Sequence, residues 1–123
     1  MVTDSGERAR LAARAASSKQ GEATVILDLR DLLTITDYFV ITSGTSDRQV
    51  KTVAEEIVQA MKEQGVRPLR EEGDAQAGWI LLDFVDFVVH VFRQEERDYY
   101  RLENLWGDAP RLDWDEEAKA SSG

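Results

Sequence analysis

The chain has 123 residues, enough for one hydrophobic core and too few for two. No stretch approaches a membrane span and no signal-peptide hydrophobic region opens the sequence, so a cytoplasmic protein without membrane contact is expected. Cysteine is absent and histidine occurs once, which removes disulfides, thiolate chemistry and the usual zinc sites; only carboxylate sites for hard cations stay open. The formal charge is −9. Arg8, Arg10, Arg14 and Lys19 outnumber Asp4 and Glu7 in the first twenty residues, so the acidity lies in the remainder. Such a body repels a nucleic-acid backbone, so no DNA contact and little RNA contact is expected. It favours a basic protein partner, although acidity also serves solubility alone.

In chain order, Ser5 to about Lys19 reads as a helix capped by Ser5 and rich in alanine. Its apolar face is shallow, which predicts loose packing at an edge. Gln20-Gly21 ends it, and A-T-V-I-L-D-L at 23–29 reads as a strand. A connection over 30–36 leads to a second strand, D-Y-F-V-I-T-S, at 37–43. Ser46 to Gln64 is the clearest helix, with Val50, Val53, Ala54, Ile57, Val58 and Met61 on one face. Ser46 with Gln49 makes a capping box, and Gly65 suits a left-handed stop. Pro68 to Gly78 is polar, with room for a short edge strand.

The segment W-I-L-L-D-F-V-D-F-V-V-H-V-F-R at 79–93 reads as two strands folded back at Val85-Asp86. That fold pairs Phe84 with Phe87, Leu82 with Val89 and Ile80 with Val91, an all-apolar face that must be core. The other face pairs Trp79 with Phe92, Leu81 with His90 and Asp83 with Val88. This second face is too apolar for water and too polar for a plain core. It suits either a protein–protein contact or a face covered by a helix of the same chain. A helix from Gln94 to Trp106 follows; Tyr99, Leu102 and Trp106 keep helical spacing and are expected in the core, with Tyr100 beside them. Glu103 is expected to be solvated or salt-bridged. Residues 1–107 thus form the predicted domain, and 108–123 an acidic, loosely held tail. The order α-β-β-α-β-β-α gives an α+β or mixed α/β fold, a mixed sheet packed with helices. A crossover through helix 46–64 would supply a parallel pair of strands.

Three constellations invite a chemical reading. S-G-T-S-D-R at 43–48 leads a strand into a helix N-terminus where a phosphate could sit beside Arg48, but the P-loop spacing is absent and capping by Ser46 is the plainer account. Asp28, Asp83 and Asp86 do not converge by spacing, which leaves a metal-assisted site weakly supported. His90 with Asp83 diagonal to it could orient an imidazole base, yet no serine or threonine is placed as its nucleophile.

I-T-D-Y-F-V-I-T-S-G-T-S-D-R-Q-V at 35–50, W-I-L-L-D-F-V-D-F-V-V-H-V-F at 79–92 and R-D-Y-Y-R-L-E-N-L-W at 97–106 resemble the ribosomal silencing factor family, also called the Iojap family. The similarity runs from about residue 5 to 107. It departs at Val85, where the family commonly has glycine; a β-branched residue resists positive φ, which points to a turn wider than two residues. The resemblance implies a fold similar to that of nucleotidyltransferases but without the catalytic acids, no cofactor, no metal and no enzymatic activity. It also implies binding to ribosomal protein number fourteen of the large subunit, steric blocking of subunit joining, repression of translation when nutrients are scarce, and a homodimer when free. By family position, contact roles fall to Trp79, Leu81 and Asp83, supported by His90 and Tyr38. The alternative is a divergent magnesium-dependent nucleotidyltransferase or phosphodiesterase. A dimeric scaffold whose hairpin face serves only self-association is a third reading.

Overall fold

The computed structural model describes residues 4–114. Strands β1 (Glu22–Asp28), β2 (Tyr38–Gly44), β3 (Arg70–Asp74), β4 (Trp79–Asp83) and β5 (Phe87–Arg93) form one mixed sheet in the order β1-β2-β5-β4-β3. Helices α1 (Ser5–Ser18) and α2 (Asp47–Glu63) pack on one face, while α3 (Gln94–Tyr100) and the single turn α4 (Leu102–Leu105) follow β5. The expected α+β architecture is present. The parallel pair joins β2 to β5, because β3 and β4 form an outer hairpin before the chain returns to the sheet centre.

Residue parity divides the sheet. Ile26, Tyr38, Val40, Leu82, Phe87, Val89 and Val91 face α1 and α2 and make the main core. The hairpin register matches the sequence reading, with Ile80 opposite Val91, Leu82 opposite Val89 and Phe84 stacked on Phe87 at 4.8 Å between ring centroids. In α2, Ser46 caps by accepting from the Gln49 N–H at 3.1 Å, and Gly65 stops the helix at φ +75°.

Helix α1 departs from expectation. Ala9, Ala12, Ala13 and Ala16 are wholly buried, because side chains this short let the helix lie close against α2 and the sheet. Asp4, not Ser5, supplies the N-cap by accepting from the Gly6 N–H, while the Ser5 hydroxyl donates to Asp37 at 2.9 Å. The first part of the expected tail is not loosely held. Residues 108–114 run along β1: Asp28 N–H donates to Pro110 O, Leu112 N–H to Ile26 O, and the Trp114 indole to Thr24 O. Ala109 is buried beneath them. Residues 115–123 of the expected tail lie outside the described residues.

Helix α3 breaks where the sequence suggested continuity. Arg101 adopts left-handed φ 49° and ψ 53°, and the chain restarts as α4. Tyr99 therefore points outward at 80% exposure instead of joining the core, and Arg97 is buried in its stead. The Arg97 guanidinium donates to Glu103 at 2.6 Å, to the Glu22 and Ala23 carbonyls, and to the Ser43 hydroxyl. Those carbonyls belong to a bulge in β1, where Ala23 has φ +47°. The guanidinium thus satisfies acceptors that the irregular ladder leaves over.

Candidate functional site

The second face of the sheet is half covered. At one end Leu27, Leu29, Ile41, Phe92 and Ala109 form a small core sealed by Leu102 and Trp106. Phe39 meets Trp106 edge-on at 6.2 Å, and Tyr100 lies against Trp79 at 4.8 Å. At the other end the face stays open as a groove of about 390 Å³, with Leu81, Val88 and His90 of β4 and β5 among its walls. Its rim comes from two connections that sequence reasoning passed over. Ile35 lies between β1 and β2, and Leu69 precedes β3; they are 81% and 68% exposed. Val85 of the hairpin turn adds a third aliphatic tip at 53%. Apolar side chains this exposed and this close together mark a surface that water covers poorly. The signal in the sequence was the aliphatic residues in these connections, Leu32, Leu33 and Ile35 in one and Val66 and Leu69 in the other.

Asp83 and the turn beside it form one unit. Phe84 N–H donates to Phe87 O and Asp86 N–H to Phe84 O, both at 3.0 Å, so the loop is two residues long and not wider. Val85 sits at φ +76°, a region that disfavours a β-branched residue. Its N–H is held by Asp83 Oδ1 at 2.8 Å, while Asp83 Oδ2 accepts from Arg70 at 3.1 Å. The carboxylate thus pins the strained turn and positions the exposed Arg70 at the groove edge.

His90 is deeply buried. The Trp79 indole N–H donates to its Nδ1 at 3.2 Å, and Phe39 packs edge-on against the ring at 4.7 Å. Burial lowers its pKa to about 4, so the ring is neutral at physiological pH. With Nδ1 accepting, the proton of the neutral ring resides on Nε2. Nε2 itself has no hydrogen-bond partner among the described residues. The same is true of Thr36 Oγ1, whose residue lines the same groove.

The residues singled out from sequence therefore separate. Leu81, Asp83 and His90 line the groove, and Trp79 stands half-buried next to it, clamped between Phe92, Tyr100 and His90. Tyr38 does not belong with them. Its register partner is Phe87, so its side chain lies on the helix-covered face beside Gly6, and burial raises its phenol pKa. It cannot touch a molecule docked on the opposite face.

The other constellations are internally committed. At 43–48, Gln49 accepts from Thr45, Ser46 caps α2, and Asp47 pairs with Arg93. Asp28 is held by Arg30, whose hydrogen bonds lower its pKa, and Asp86 faces Arg8 at 3.5 Å. A larger groove between α2 and β3 is walled by charges of both signs, among them Arg48, Lys51, Glu71 and Asp74.

Comparison with known proteins agrees with this architecture. A family model described as "Ribosomal silencing factor during starvation" matches residues 2–123. A "Ribosomal silencing factor RsfS" of Halalkalibacterium halodurans is 44% identical over 107 residues, 87% of this chain and 92% of that protein. The protein of the same name from Bacillus subtilis is 44% identical over 106 residues, covering 86% and 90%. A crystal structure from Chromobacterium violaceum superposes with a TM-score of 0.82 at 35% identity, covering 85% of this chain and 88% of that one. The chain belongs to the ribosomal silencing factor family.

Proposed function

We propose that this protein docks its half-open sheet face onto ribosomal protein number fourteen of the large subunit and blocks joining of the small subunit sterically, repressing translation when nutrients are limiting. The observation that carries this reading is the apolar-rimmed groove at Leu81, Val88, Ile35, Leu69 and Val85 on a body of net charge −9. A groove of that character buries aliphatic surface at its centre, and the surrounding charge draws in a cationic protein rather than a phosphate backbone. The action requires occupancy and no turnover, and it takes place in the cytoplasm. Dimerisation through the same face would compete with docking.

The test is co-sedimentation with purified large subunits, small subunits and joined ribosomes side by side. Wild-type protein is retained on free large subunits only. The doubly substituted Ile35→Asp, Leu69→Asp variant keeps its melting temperature, because both side chains are exposed, and loses retention. Equal retention of that variant would move the docking face elsewhere, and retention on joined ribosomes would remove the steric mechanism. Raising the salt weakens wild-type retention, because the complementary charges are screened.

A further inference from the structure

Two polar atoms in the groove region are unexplained by the fold. His90 Nε2 and Thr36 Oγ1 are shut away from solvent and unpartnered among the described residues, and both residues line the same groove. Leaving a buried donor unmet costs free energy that an apolar residue of similar shape would avoid, so such groups call for a partner that arrives later. The Trp79 indole fixes the chemistry of one of them: by occupying Nδ1 it leaves Nε2 as an N–H donor that needs an acceptor.

We propose that His90 Nε2 and Thr36 Oγ1 are a two-point station for the main chain of the docked partner, the imidazole N–H donating to a backbone carbonyl and the hydroxyl bonding to the neighbouring peptide group. This inference rests on the docking function proposed above and specifies what its groove recognises. The occupant is an extended segment of a cationic protein that lays an aliphatic side chain between Ile35, Leu69 and Val88. A carboxylate acceptor is disfavoured by the acidic body and by the apolar walls, whereas a neutral carbonyl is carried by every residue of an extended segment. Because both atoms are sealed in the free protein, docking must open the groove wall to reach them. Trp79 is then a positioning residue, since its indole sets which imidazole nitrogen faces the visitor.

The experiment is a binding titration against purified large subunits, paired with thermal melting of each free variant. Thr36→Val removes the hydroxyl at nearly constant shape. Its melting temperature equals or exceeds that of wild type, while its Kd rises about 3- to 10-fold, the value of one hydrogen bond. His90→Phe weakens binding to a similar degree, and His90→Gln, which keeps an N–H donor, restores it. Opposite movement of stability and affinity is what a merely structural hydroxyl would not produce. If wild type fails to bind large subunits, the proposed function falls and takes this inference with it. If wild type binds while Thr36→Val and His90→Phe match its Kd, the function stands and this inference alone is overturned.

Discussion

Acid weakens this protein through a single imidazole. Burial holds the His90 pKa at about 4 in the folded chain, against about 6.5 in an unfolded one. Above the unfolded value both states are neutral and nothing is lost. As the pH falls through about 6.5 the unfolded chain takes a proton that the folded chain refuses, so stability declines and levels off only below the folded pKa. At pH 5 the gap amounts to roughly 2 kcal/mol, and across the whole window to roughly 3 kcal/mol. His90 is the only histidine and there is no cysteine, so no other side-chain type has its ordinary pKa between pH 7.5 and 5. The assay is urea unfolding followed by tryptophan fluorescence at those two pH values. With a slope of about 1.5 kcal/mol per molar, the wild-type midpoint drops by roughly 1 M on acidification. His90→Phe carries a fixed penalty, because the Trp79 indole loses its acceptor at 3.2 Å, but its midpoint moves far less with pH. Equal acid shifts in the two proteins would show that the ring is hydrated or already charged, and the tautomer argument would fail with it.

Two further outcomes test the local geometry. Val85→Gly relieves positive φ at a half-exposed turn and raises stability by about 1 kcal/mol, or roughly 3 °C in Tm, whereas Val85→Ala leaves it nearly unchanged. Arg97→Met leaves Glu103 and two bulge carbonyls without their donor and costs on the order of 3 kcal/mol in chemical denaturation; a loss below about 1 kcal/mol would mean that water replaces the guanidinium.

Period-two alternation made the 79–93 hairpin legible, since Leu82, Phe84, Phe87 and Val89 admit only one register that puts them on a common face. Helix α2 was legible for a similar reason, with its cap at Ser46 and its stop at Gly65 both written in residue type. What hid was tertiary. The left-handed Arg101 has no glycine or asparagine to announce it, so Tyr99 was read inward; the structure turns it outward and buries Arg97, to which the sequence reading gave no place. Residues 108–114 look like a solvated tail because much of their attachment to β1 runs through the main chain, which carries no compositional mark. The groove on the second face of the sheet was half legible. Leu81, Asp83 and His90 followed from strand parity, whereas Ile35, Thr36 and Leu69 come from connections whose position no periodicity predicts. Tyr38 fell on the face opposite Leu81, Asp83 and His90 because the parallel β2–β5 register that fixes its face links elements far apart in sequence.

The segment at 108–114 also decides how the molecule behaves in a crowd. A sheet with two bare margins invites strand-on-strand stacking into filaments. Here one margin is already capped by the chain's own backbone, from Pro110 to Leu112. The other, β3, displays Arg70, Glu71, Glu72 and Asp74, whose mostly like charges repel a second copy. The protein is thereby guarded against polymerising with itself, and shortening the chain before Pro110 would remove half of that guard.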